Sequence, residues 1–301
     1  MSRHIINHLA RADPVLAQLI RAVGPCRLAP AGDCHPFQTL ARAIAHQQLN
    51  GTAANTILKR LTESCGAGLF PTPHQVLAAS RESLRAAGFS FAKVAALRDL
   101  AEKTLAEVVP DVATLLQLDD AEIIARLTQV RGIGRWTVEM LLVFQLGRPD
   151  VLPVDDFGVR SGFQAAYGLS RLPRPKALAA WGERWKPYRT TAAWYLWRAL
   201  ELKRAGTLPL PEERIRLPRI SRRRRARSRP RPAATARRAR TSRALRAARR
   251  SSGSKAKRAR PAPARALKGG GTSSALLRRA DARRRSRPRR TRRSRAPASR
   301  R

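Results

Sequence analysis

Acidic side chains are scarce in this 301-residue chain, with 20 Asp and Glu against 62 Lys and Arg for a formal charge of +42. A balance so short of carboxylates favours a polyanionic partner, nucleic acid before a membrane surface. Cysteine is scarcer still. The three residues, Cys26, Cys34 and Cys65, form no CxxC pair, which argues against zinc and iron–sulfur sites and fits a reducing cytosol. Each reads as a buried thiol. No apolar run approaches the ~18 residues of a spanning helix, and the N-terminus lacks the apolar core of a signal peptide. A soluble cytoplasmic protein, associated with the nucleoid and not with membrane, is therefore expected. Alternation with period two is also missing, so no sheet is predicted.

What is present divides the chain. From Pro211 to Arg301 there are 36 basic and 3 acidic residues, leaving 26 basic and 17 acidic before them. The 211–301 segment is built of Arg, Ala, Pro and Ser, with runs such as Arg222–Arg225 and Arg283–Arg285. Self-repulsion and the shortage of large apolar side chains predict a disordered tail. It is expected to bind nucleic acid non-specifically by counterion release. Residues 1–35 read as one helix, about Pro14–Val23, and a Gly/Pro-rich loop belonging to the globular part. Residues 36–210 read as a run of helices. Phe37, Leu40, Ala41, Ile44, Ala45 and Gln48 keep helical spacing up to a C-cap signal at Asn50-Gly51. Ser80, Ser90, Asp111 and Asp119 read as N-caps. Helices beginning at Asp155 or Asp156, Pro175 and Pro187 complete an all-α domain of roughly ten helices.

Three constellations carry chemistry. The first is Arg131-Gly132-Ile133-Gly134-Arg135-Trp136-Thr137, a glycine turn between two helices. Glycine permits positive φ and leaves the backbone bare, and the N–H groups opening the next helix suit a phosphate. Carbonyls pointing away from that helix, those of Thr128, Val130 and Ile133, are candidates for a monovalent cation; no other metal and no cofactor is expected. The second is Asp155-Asp156, 22 residues past Gly134 to its second member. One helix and a loop in between allow a carboxylate to return beside the turn, where it can stabilise an oxocarbenium sugar or activate water. At least one of the pair also reads as a helix N-cap. The third is an aromatic set containing all five tryptophans, Trp136, Trp181, Trp185, Trp194 and Trp197, with Phe157, Tyr188 and Tyr195. Such faces attract electron-poor rings, and about half of them are expected simply to pack the core.

These residues resemble the helix-hairpin-helix DNA glycosylases, and among them the AlkA-type 3-methyladenine DNA glycosylases, over about residues 36–203. Ala43–Asn50 is similar to the helix and turn that supply the wedge into the duplex, and residues 131–137 to the hairpin. Leu152–Asp156 is similar to the loop carrying the essential Asp, and Glu183–Arg189 with Trp197 to the C-terminal segment. The resemblance implies a two-lobed all-α fold with the cleft between lobes. It implies base flipping in double-stranded DNA and hydrolysis of the N-glycosidic bond of alkylated purines, of the 3-methyladenine and 7-methylguanine type. Asp156 becomes the catalytic carboxylate, and Trp136, Met140, Trp197 and Tyr188 the base pocket. Gly132, Ile133, Gly134, Arg135 and Thr137 become the contacts to the DNA backbone, and Gln48 or Leu49 the wedge. Trp136 stands where glycosylase/lyases keep a nucleophilic Lys, so base release without strand cleavage is expected, from a monomer. No counterpart of AlkA's β-rich N-terminal domain is expected ahead of residue 36. The readings set against this one are a glycosylase/lyase acting on oxidised bases and a non-enzymatic DNA-binding or nucleoid protein.

Overall fold

The computed structural model describes residues 3–31 and 35–209; Cys34 and the whole basic segment 211–301, including its expected disorder, lie outside them. All the described regular structure is helical. The helices are α1 (Arg3–Ala12), α2 (Pro14–Val23), α3 (Pro36–His46), α4 (Gly51–Cys65), α5 (Pro73–Ala78), α6 (Arg81–Ala86) and α7 (Phe91–Leu105). They continue as α8 (Val112–Gln117), α9 (Asp120–Leu127), α10 (Arg135–Phe144), α11 (Phe157–Ala166), α12 (Pro175–Gly182) and α13 (Arg189–Arg204), with a 3-10 turn at Glu183–Trp185. No described helix is long and apolar enough to cross a membrane.

Local chemistry sets most of these boundaries. The side chains of Ser80, Ser90, Asp111 and Asp119 each accept the N–H of the third residue of the helix they precede, satisfying a donor that the helix cannot. Thr72 and Gln75 close a reciprocal capping box on α5. Asn50 corrects the sequence expectation: it opens α4 by accepting the Ala53 N–H at 2.8 Å, and α3 has already ended at His46. Asparagine suits either helix end, and only the direction of the side chain decides. Two helices, α1 and α5, lie where no helix is expected. In α1 Leu9 alone is fully buried, too little for a period, and α5 is only 6 residues long.

The helices pack as two groups. In one, α11 crosses α13, α2 packs on α13, and α1 lies across α2 and the 3-10 turn. In the other, α7 runs through the middle of α3, α5 and α6, with α4 on α3. The α9–α10 pair touches α3 through α10 and stands between the groups in the chain. The crossing of α11 and α13 is close because Gly162 faces the Leu196 carbonyl, where any Cβ would collide with backbone.

A buried carboxylate fastens the first group. Asp13 is wholly inaccessible. One oxygen caps α2 through the N–H groups of Val15 and Leu16, at 3.0 and 3.3 Å. The other accepts the Tyr167 hydroxyl at 2.6 Å and the indole N–H groups of Trp181 and Trp185, each at 3.0 Å. A carboxylate in the interior is costly unless its lone pairs are filled; here they are, by residues from both ends of the domain. Two of the five tryptophans are thereby committed to structure.

Candidate active site

The hairpin between α9 and α10 is anchored by Val130 and Ile133, 1% and 4% exposed. Gly132 has φ +78°, a conformation glycine enters freely. Gly134 is different: its backbone is extended, and a Cβ added there would meet nothing within 4 Å. Packing does not demand that glycine, and the space beyond it is open. Gly134 is also the N-cap of α10, and no side chain caps that helix. The first turn of α10 therefore presents N–H groups and the positive end of its dipole to an open surface. Ile133 and Thr137 use their own N–H groups inside the hairpin, at the carbonyls of Val130 and Gly134, 3.0 and 2.9 Å away. Of the three carbonyls considered for a cation, that of Val130 thus retains one lone pair.

Asp156 is the N-cap of α11 and is 2% exposed. Its Oδ1 accepts the Val159 N–H at 2.7 Å and the Trp197 indole N–H at 2.8 Å, and its Oδ2 accepts the Trp136 indole N–H at 2.8 Å. Of the Asp-Asp pair, Asp156 is the helix cap and is also the member held beside Trp136 and Trp197, while Asp155 is exposed. Gly158 makes the arrangement possible: a Cβ there would lie 2.9 Å from the Trp197 ring and 3.0 Å from Asp156 Oδ1. Hairpin, loop and the last described helix therefore converge on a single carboxylate.

The remaining expected residues are distributed unevenly. Met140 is one helical turn beyond Trp136 and 5% exposed. Trp197 is 2% exposed and stacked on Phe144, with ring centroids 5.5 Å apart; its described contact with the site is the N–H it gives to Asp156. Tyr188 has its ring set edge-on to His4 and His8 of α1, with centroids at 6.0 and 5.2 Å. Phe157, directly after Asp156, is 56% exposed and offers the open aromatic face that Trp197 does not. Gln48, at φ +57°, and Leu49 are both exposed on the turn after α3.

Sequence reasoning missed Glu139. It is 3% exposed, and its Oε1 accepts Arg135 Nε at 2.8 Å, although Arg135 itself is 62% exposed. Burial pushes the Glu139 carboxyl up to about 7 against the pull of Arg135, and the negative charges of Asp155 and Asp156 add to the rise. Its position four residues after Arg135 is the one signal the sequence carried, and on an exposed helix that spacing is ordinary. Also missed were Gln47 and Lys93. Gln47 Nε2 donates to the Gly132 carbonyl at 2.8 Å, and Lys93 Nζ to the carbonyls of Ala45 and Gln47 at 2.9 and 2.7 Å. Gln47 lies within the Ala43–Asn50 segment, where the sequence assigns it no role, and no motif marks Lys93.

An uncapped glycine hairpin beside a buried, indole-held aspartate defines a base-excision architecture, and residues 41–187 match the HhH-GPD superfamily of base excision DNA repair proteins. The chain belongs to that family. Within it, the similarity falls on the 3-methyladenine DNA glycosylases. DNA-3-methyladenine glycosylase 1 of Schizosaccharomyces pombe is 40% identical over 196 residues, 65% of this chain and 86% of that protein. The solved structure of the Schizosaccharomyces pombe 3-methyladenine DNA glycosylase Mag1 in complex with abasic DNA aligns with a TM-score of 0.57 at 39% identity, covering 65% of this chain and 95% of the other. That of a DNA-3-methyladenine glycosidase from Bacillus halodurans aligns at 0.61 and 35% identity, covering 68% and 92%.

Proposed function

We propose that this protein is a monofunctional DNA glycosylase that removes alkylated purines, of the 3-methyladenine and 7-methylguanine type, from double-stranded DNA by flipping the base and hydrolysing its N-glycosidic bond. The observation that carries the reading is the Asp156 carboxylate, oriented by Val159, Trp136 and Trp197. An alkylated purine is cationic, so its bond to the sugar breaks with the electron pair passing to the base, which leaves neutral. No acid is needed for departure. The positive charge shifts to the sugar as an oxocarbenium, which a fixed carboxylate in a site shielded from water stabilises strongly. Water then adds to the anomeric carbon and loses its proton, and an abasic site remains. Each Asp156 oxygen already holds at least one N–H donor, an arrangement suited to electrostatic stabilisation. Trp136 places an indole, not an amine, after the hairpin glycines, so no covalent step with the sugar is expected.

On the DNA side, the first turn of α10 holds one phosphate, Arg135 adds charge, and Gln48 or Leu49 fills the space the base vacates. The Arg-rich 211–301 segment adds sequence-independent affinity, and the protein acts as a monomer. Asp156→Asn tests the core of the reading. An amide offers one acceptor where three N–H donors now find two, and it carries no charge. Single-turnover release of 3-methyladenine should fall by about 10²–10³-fold, with affinity for an abasic duplex nearly kept. Release at the parent rate, or borohydride trapping of the parent protein on DNA, would overturn the assignment.

A further inference from the structure

The turn bearing Gln48 and Leu49 is not free to find its own height against the hairpin. Three residues of α7, Lys93, Ala96 and Asp99, recur at i, i+3 and i+6 and so share one face. Lys93 Nζ holds the carbonyls of Ala45 and Gln47, at the end of α3, at 2.9 and 2.7 Å. Ala96 Cβ lies 3.5 Å from where a Gly132 Cβ would stand. Asp99 Oδ2 accepts the Arg131 N–H at 2.6 Å. One helix face therefore grips the turn near its N-terminus and the hairpin one to two helical turns later. Gln47 closes the triangle by donating to the Gly132 carbonyl at 2.8 Å, across 85 residues of sequence.

We propose that Gln47 and Lys93 are positioning residues for base flipping, a strut that keeps the wedge turn in register with the phosphate-binding hairpin. A phosphate fixed at the hairpin and a side chain entering the duplex act on the same stretch of DNA. Flipping proceeds only if the distance between them is held, and a misplacement of about 1 Å in such a system is worth up to about 10²-fold in rate. Both ends of the connection are held: Asp99 accepts the N–H of Arg131, next to Gly132, and Lys93 holds the backbone carbonyl of Gln47. Burial supports it, since Lys93 loses solvent and its ammonium is pulled below the usual lysine range, yet it gives its protons to two carbonyls where an exposed lysine would keep water. A lysine meeting carbonyls at a helix C-terminus also meets the negative end of the dipole. The inference rests on the reading of Gln48–Leu49 as the wedge.

The test uses the full chain carrying Gln47→Met, which keeps length and charge neutrality and removes the side-chain amide that donates to Gly132. Three quantities are read: affinity for an undamaged duplex, single-turnover release of 7-methylguanine, and the fluorescence rise of 2-aminopurine placed beside the lesion as the base leaves the stack. Affinity for undamaged duplex should stay within about twofold, while excision and the flipping signal fall together by about tenfold or more. Lys93→Met should show the same split and Lys93→Arg should restore flipping, because a guanidinium also reaches two carbonyls. Thermal melts separate a general loss of fold from this pattern. A Gln48→Ala/Leu49→Ala double variant guards the premise. If that double variant excises normally, the wedge reading falls and the strut with it; if it slows while Gln47→Met retains the parent rate and flipping signal, the strut alone is wrong.

Discussion

Two aspartates in this protein are held the same way. Asp13 and Asp156 each cap a helix and each accept two indole N–H groups, yet Asp13 is sealed behind Tyr167 and Asp156 is neighboured by the half-buried Trp136 and the exposed Phe157. Chemistry depends on what stands next to the carboxylate as much as on what holds it. Glu139, the third buried acid, carries a pH prediction. Its proton is held more tightly in the folded chain, at about 7, than near the 4.5 of an ordinary glutamate. Between those values the native state binds more protons than the unfolded one, so this residue lowers stability as pH rises, with the cost absent below the lower value and complete above the upper. Glu139→Gln should remove that slope and gain on the parent by on the order of 3 kcal/mol between pH 5 and pH 8, as urea melts at the two pH values would show. Parallel shifts of both proteins would contradict it. The sequence made Asp156 legible because a motif and a spacing pointed to it together. It left Glu139 and Lys93 unmarked and assigned Gln47 no role of its own within Ala43–Asn50, since their contacts are set by burial and by residues far along the chain.

At the scale of helices, the decisive contact is the crossing of α11 and α13, which carries Asp156 at one end and Trp197 on its far partner. Gly162→Ala would thrust a methyl into the Leu196 carbonyl. Backbone cannot yield as a flexible side chain does, so the helices must separate, at a cost of about 1–3 kcal/mol or more. In a domain of this size that lowers Tm by roughly 2–4 °C per kcal/mol, and the loss of excision should exceed what the melt explains because the indole leaves the carboxylate. An unchanged Tm would mean that the crossing is looser than described. Most helices were readable, since Ser, Asp and Pro mark their first turns and Gly their ends. The all-α class followed from the absence of alternation. The failures have local causes: α1 buries too little to print a period, and Asn50 is chemically at home on either side of a helix boundary.

For the molecule as a whole, charge is sharply divided, with 36 of 62 basic residues in the 211–301 segment. Deleting that segment should flatten the dependence of DNA affinity on salt, because fewer counterions are released, and leave single-turnover excision nearly unchanged; a large fall in the chemical step would show that the segment reaches the site. The helices from α3 to α9 are contiguous in the chain and find their packing partners near at hand. The group around α13 is not, since Asp13 waits 154 residues for Tyr167 and longer for its two indoles. The N-terminal end leaves the ribosome first, so α1 and α2 are made early and wait long for their partners. Trp197 arrives later still, on the final described helix. A chain halted before it would carry the hairpin and the turn after α3 but lack one of the indoles that hold Asp156, so the order of translation makes the setting of that carboxylate the last part of the described fold to be completed.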